Sequence, residues 1–167
     1  EGDPEAVAVA LLADVDPHRI MARTQVMESV EKTMRQRGVV TLNLGNDLYR
    51  LFLDEAMTYS SAVFQTPEHP LADAQRNKYR LMAEGAGLQA GQHVLEIGSG
   101  WGGFAIYAAG ELGCRVTSIT ISKEQHALAT ERVRAAGLEH LVDIQLRDYR
   151  DIEGTYDAIV SIEMLEA

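Results

Sequence analysis

The sequence predicts an α/β fold: a parallel sheet with helices on its faces, preceded by a helical N-terminal segment. Three observations carry this. From residue 92 onward, short apolar runs alternate with longer helical patterns, as in consecutive strand-helix-strand units. The run Val94-Leu95-Glu96-Ile97-Gly98-Ser99-Gly100-Trp101-Gly102-Gly103 passes from an apolar strand through a glycine-rich turn into a helix. Gly113 and Gly137 stand where helix C-caps belong.

Taken in order, residues 5–13 form an Ala/Val/Leu-rich helical stretch that Asp16-Pro17 breaks. Residues 18–37 read as a second helix, with Ile20, Met27, Val30 and Met34 close to one face. Arg19, Arg23, Lys32, Arg35 and Arg37 make it locally basic. It is a solvated helix packed on the domain or, alternatively, a lid or membrane-facing helix. Within 43–64, Leu48, Leu51, Phe52 and Met57 suggest a short helix packed on the domain. Pro67 and Pro70 bracket a turn, and Leu71 to Gly87 reads as a helix ending at glycine. Strands are expected at about 93–97, 115–120, 141–146 and 157–162, with helices at about 102–112 and 123–136. Three parts result: a helical segment over 1–42, a cap over 43–91 and a sheet-containing core over 92–167.

The 167 residues suffice for one domain with a real core. A net charge of -10 argues against a nucleic-acid partner and against whole-surface attraction to anionic lipid. The single cysteine, Cys114, precludes an internal disulfide and reads as a small buried apolar residue. It fits a reducing cytoplasm. No apolar run is long enough to span a membrane, and no signal-peptide pattern opens the chain.

In parallel sheets the ligand lies across the carboxyl ends of the strands. Here those ends carry Glu96, Thr120 with Ser122, Arg147-Asp148-Tyr149 and Glu163. Two ligands compete for the glycine turn. Gly98, Gly100 and Gly103 satisfy the dinucleotide pattern G-x-G-x-x-G, a weak signal by itself. That reading wants an acid at the end of the second strand, and Arg115–Ser122 offers none. The other ligand is S-adenosylmethionine, which has no pyrophosphate. Glu96 is placed to face its amino group, and the glycines let its amino-acid portion lie on the backbone.

Beyond these local readings, Asn43 to Ala167 resembles the cyclopropane fatty acid synthases and their mycolic-acid relatives, S-adenosylmethionine-dependent methyltransferases. The likeness is carried by Leu44-Gly45-Asn46-Asp47-Leu48-Tyr49-Arg50-Leu51-Phe52-Leu53-Asp54 and by Met57-Thr58-Tyr59-Ser60-Ser61-Ala62-Val63-Phe64. It continues through the glycine turn, Ile119-Thr120-Ile121-Ser122-Lys123-Glu124-Gln125, and Val160-Ser161-Ile162-Glu163-Met164-Leu165-Glu166. The resemblance implies a class I methyltransferase, Rossmann-like sheet with helices on both faces. It implies that Tyr59 and Ser60 contact the cofactor's methionine end, with Gly98, Gly100, Trp101 and Gly102 beneath it. Thr120, Ser122 and Gln125 would hold the ribose region, and Asp148 and Tyr149 would lie near the adenine. Tyr149 is otherwise a core aromatic.

By the same resemblance, a methyl carbon goes to the cis double bond of an unsaturated phospholipid acyl chain. The resulting carbocation loses a proton to a bound bicarbonate ion, held partly by Ser61 and Glu166. Loss from the added methyl closes a cyclopropane ring. A prior hydride shift leaves a methylene branch (a 10-methyl precursor) for a reductase partner. A methyltransferase-like subunit without turnover is the non-catalytic alternative. No metal is implied. The expected location is cytoplasmic, peripheral to the inner face of the membrane, with room for a homo-oligomer. Relatives often carry Cys where Ser61 stands. Their sheets have seven strands and this sequence stops after the fourth, so the natural protein is expected to continue beyond Ala167.

Overall fold

The computed structural model describes residues 49–50 and 53–164. Within them the helix α1 (Leu71–Gly85) precedes β1 (His93–Ile97), α2 (Gly103–Leu112), β2 (Arg115–Thr120), α3 (Lys123–Ala135) and β3 (Val142–Leu146). A 3-10 turn (Tyr149–Asp151) then leads to β4 (Ala158–Ser161). The strands form one parallel sheet in the order β3-β2-β1-β4. The chain runs outward through β1, β2 and β3, then returns past β1 to lay down β4. Its order reverses beside β1, and a crevice opens at such a reversal.

Right-handed crossovers place α2 and α3 on the same sheet face. Alanines 105, 108 and 109 of α2 bring that helix close to the sheet, where Phe104 joins Val94, Val116 and Val160 in the main core. Leu95 points to the opposite face and is buried as well, so both faces of β1 are covered. Cys114 is fully buried between α2 and β2, as a small apolar residue would be, and burial raises its thiol pKa.

The α1 stripe facing the domain is Ala74, Gln75, Lys78, Tyr79, Met82 and Ala83. Its spacing is helical, yet two of the six are polar. Met57 is not helical: its backbone lies in the left-handed region at φ 54°, and its side chain joins Trp101 and Leu128 in a second cluster. Leu48, Leu51 and Phe52, and the helices expected over 5–37, lie outside the described residues.

Candidate cofactor site

The turn after β1 is pinned to the end of β2. The Gly98 and Ser99 amides both donate to the Ile119 carbonyl, at 3.0 and 2.9 Å. This bends the chain away from the sheet and into α2. Gly98 is favoured by its backbone, at φ 91°, and Gly103 by close approach. A Cβ on Gly98 would come within 2.7 Å of Met164, and one on Gly103 would overlap the Tyr79 hydroxyl. At Gly100 a Cβ would meet nothing within 4 Å, so the backbone there faces open space.

That space is a cavity of about 190 Å³. Of the residues expected to bind a cofactor, Tyr59, Ser60, Glu96, Gly98, Gly100, Trp101 and Gln125 line it. Thr120 reaches it through Gln125: its hydroxyl donates to Gln125 Oε1 at 2.8 Å. Gly102, Ser122, Asp148, Tyr149 and Ser61 are not among its lining residues.

Their own contacts explain four of these. Gly102 is the N-cap of α2 at φ 83° and packs on Ala129. Ser122 caps α3, accepting from the Gln125 amide at 3.2 Å and donating to Glu124. Asp148 forms a two-point pair with the Arg150 guanidinium at 2.6 and 3.0 Å. These bonds hold its carboxyl well below the usual range, at about 2. Tyr149 is 58% exposed, which removes the core-aromatic reading. Ser61 donates both its amide, at 2.8 Å, and its hydroxyl to Glu163 Oε1. Glu166 lies outside the described residues.

Glu96 is the chemically pointed group. It is 3% exposed, and its partner is the Ser118 hydroxyl at 2.5 Å, the residue beside it in the β1–β2 register. Burial pushes its pKa up to about 8, with the Ser118 bond pulling the other way. A buried carboxyl that faces a cavity, with no cation paired to it among the described residues, suits an incoming ammonium. With open backbone at Gly100, this is a fit for the amino-acid end of S-adenosylmethionine.

Several lining residues have no cofactor role assigned from the sequence, although Glu163 is marked there as a polar strand end. Thr58 and Tyr79 share a buried hydrogen bond of 2.5 Å, and burial drives the Tyr79 pKa far upward. Ile162, Glu163 and Met164 form the wall that follows β4. Glu163 sits at φ 52°, in the left-handed region that non-glycine residues rarely adopt. Outside the cavity, Arg132 of α3 ties its cover down. One guanidinium nitrogen donates to the Ala56 and Trp101 carbonyls, both at 2.7 Å, and the other to Glu55 at 3.3 Å. Among the described residues there is no cluster of candidate metal ligands and no helix long and apolar enough to cross a membrane.

The fold is that of the class I S-adenosylmethionine-dependent methyltransferases. The family model for mycolic acid cyclopropane synthetase matches residues 30–167. A tuberculostearic acid methyltransferase of Mycobacterium tuberculosis, UfaA1, is 50% identical over 140 residues, covering 80% of this chain and 33% of the relative. A cyclopropane-fatty-acyl-phospholipid synthase of Escherichia coli is 43% identical over 124 residues, covering 74% and 31%. The crystal structure of mycolic acid cyclopropane synthase CmaA1 with S-adenosylhomocysteine (SAH) and CTAB has a TM-score of 0.68. It is 32% identical, over 72% of this chain and 42% of that one. The chain therefore belongs to the mycolic acid cyclopropane synthetase family, methyltransferases of the cyclopropane fatty acid synthase type. The match begins before Asn43, where the resemblance seen in the sequence starts, and takes in part of the basic segment over 18–37. The chain spans about a third of the length of the curated relatives it matches.

Proposed function

We propose that the protein transfers a methyl carbon from S-adenosylmethionine to the cis double bond of an unsaturated fatty acyl chain of a phospholipid, giving a cyclopropane. The observation that carries the cofactor part of this is Glu96, a buried carboxyl on the wall of the glycine-turn cavity with no cation paired to it among the described residues. When bound, the cofactor supplies an electrophilic methyl on a sulfonium. The chain's own residues do the rest. Glu96 accepts from the amino group, Ser60 and Tyr59 face the methionine end, and Gln125, braced by Thr120, offers its amide to the ribose. Trp101, Phe104 and Met164 give the cavity apolar surface. Such surface keeps water from a cationic centre on the substrate.

Ser61 and Glu166 would hold a bicarbonate ion, which would supply a base for proton removal. Because the Ser61 hydroxyl is given to Glu163, an anion arriving there must displace Glu163 or share its donor. On this reading the protein works peripherally at the inner membrane face, where it would meet its lipid. A methylene-branched product for a reductase partner is the second reading. It is favoured by the higher identity to a relative named for methyl transfer, 50% against 43%. The test is incubation of the complete protein with labelled S-adenosylmethionine and vesicles of unsaturated phospholipid. Label in the lipid is expected, and NMR separates ring from methylene. Unlabelled lipid with a folded, cofactor-binding protein would refute the reading.

A further inference from the structure

Glu163 stands just beyond β4, on the cavity wall that also carries Glu96 and Gly98. Its backbone lies at φ 52°, a region that disfavours any residue with a Cβ and suits glycine. The next residue, Met164, lies against Gly98, so this wall is seated on the glycine turn. A non-glycine residue held in that conformation points to a task for its side chain. The carboxylate reaches across 102 residues of sequence to Ser61. Its Oε1 accepts from the Ser61 amide at 2.8 Å and from the Ser61 hydroxyl. Among the described residues no donor meets Oε2.

The reaction proposed above needs a proton acceptor whichever product forms. Once the alkene has taken the methyl, one of its carbons is cationic. In ring closure a C–H bond of the added methyl breaks. Its electron pair forms the new C–C bond to the cationic carbon, and the proton leaves. In the branched product a hydride shifts first, the electron pair of the broken C–H bond becomes a C=C bond, and a proton leaves likewise. A proton beside a carbocation is so acidic that an ordinary carboxylate can take it. Position decides the acceptor, not base strength.

We propose that Glu163 is that acceptor: a carboxylate built into the wall, engaging the Ser61 donors that a bicarbonate ion would otherwise use, so that the reaction needs no added ion. This rests on the methyl-transfer reading and names a residue for its last step. Two bonds from Ser61 fix Oε1, which leaves Oε2 to take the proton. Glu163 is exposed, so the proton can pass on to water.

The test uses the complete protein, labelled S-adenosylmethionine and vesicles of dioleoylphosphatidylglycerol, in buffer freed of carbon dioxide and again with bicarbonate added. Wild type should work in both, at rates within about twofold of each other. Glu163→Gln keeps an acceptor for Ser61 but cannot take the proton. Its kcat in the ion-free buffer should fall about a hundredfold or more, while the calorimetric Kd for SAH changes less than about threefold. Glu163→Gly suits the left-handed backbone, so it keeps the protein folded and should show the same loss. There the side chain's place is vacant, and added bicarbonate should restore the rate at least about tenfold. A readout without turnover is NMR of isotope-labelled bicarbonate, whose signal Glu163→Gly should broaden and wild type should not. A wild type that stops without bicarbonate, a Glu163→Gln variant near the wild-type rate, or equal broadening by wild type and Glu163→Gly would overturn the inference while methyl transfer stands. A wild type that binds SAH yet labels no lipid in either buffer would overturn the methyl-transfer reading and the inference with it.

Discussion

Replacing Glu96 with glutamine keeps the side chain's shape and removes its titration. Burial raises the Glu96 pKa from 4.5 to about 8, against the lowering effect of the Ser118 bond. The folded value lies above the unfolded one, so the folded protein holds an extra proton between about pH 4.5 and pH 8. This group's stabilising contribution is complete below pH 4.5 and is lost as pH rises to 8. At 1.36 kcal/mol per unit, the whole shift is worth at most roughly 5 kcal/mol. Most of it, roughly 4 kcal/mol, falls between pH 5 and pH 9. Urea unfolding across that range should show wild type losing stability relative to Glu96→Gln by an amount of this order. Other groups titrate alike in both proteins and cancel. A ligand ammonium against Glu96 favours the charged form, so binding expels the proton. Affinity for SAH should then rise with pH, by up to about tenfold per unit, and level off near pH 8. Calorimetry in buffers of different ionisation heat reads the released proton directly. Parallel stability curves, with no proton released by wild type, would refute the argument that Glu96 is buried neutral and awaits a cation.

Other outcomes follow from the same geometry. Arg132→Met leaves the Ala56 and Trp101 carbonyls without their donor and should cost about 1–3 kcal/mol in urea unfolding, with SAH bound more weakly. Gly103→Ala drives a methyl into the Tyr79 hydroxyl and should break its bond to Thr58, costing about 1–3 kcal/mol by thermal unfolding. Tyr79→Phe strands the buried Thr58 hydroxyl and should cost about 1 kcal/mol. In wild type, alkaline absorbance titration should leave one tyrosine protonated after the exposed ones have ionised. Glu163→Gln weakens the acceptor for both Ser61 donors and should lower the methyl-transfer rate more than it changes cofactor affinity, as judged by kcat against calorimetric Kd.

The strands over 93–97 and 115–120 were legible to the residue because β-branched and apolar runs end abruptly at turns. The ends of α2 and α3 were read one residue too long. A helix end is decided by cap geometry, and Gly102 is an N-cap rather than a helical residue. The glycine turn and Glu96 were readable because both belong to one contiguous stretch. Lys78, Tyr79 and Arg132 were not, because their partners at Thr58, Ser60 and Ala56 are 18 to 76 residues distant in sequence. In the sequence, Lys78 looks like any surface lysine of an amphipathic helix. Ser122 is ambiguous in the other direction: a serine before a helix serves equally well as a cap or as a ligand contact, and the structure shows its hydroxyl in the capping role.

The most direct test of the cavity's identity is a side-by-side titration of the complete protein with SAH and NADH. Saturable, one-to-one binding of the first is expected, abolished or strongly weakened in Glu96→Gln, with no binding of the second. Saturable binding of NADH with none of the thioether nucleoside would contradict it.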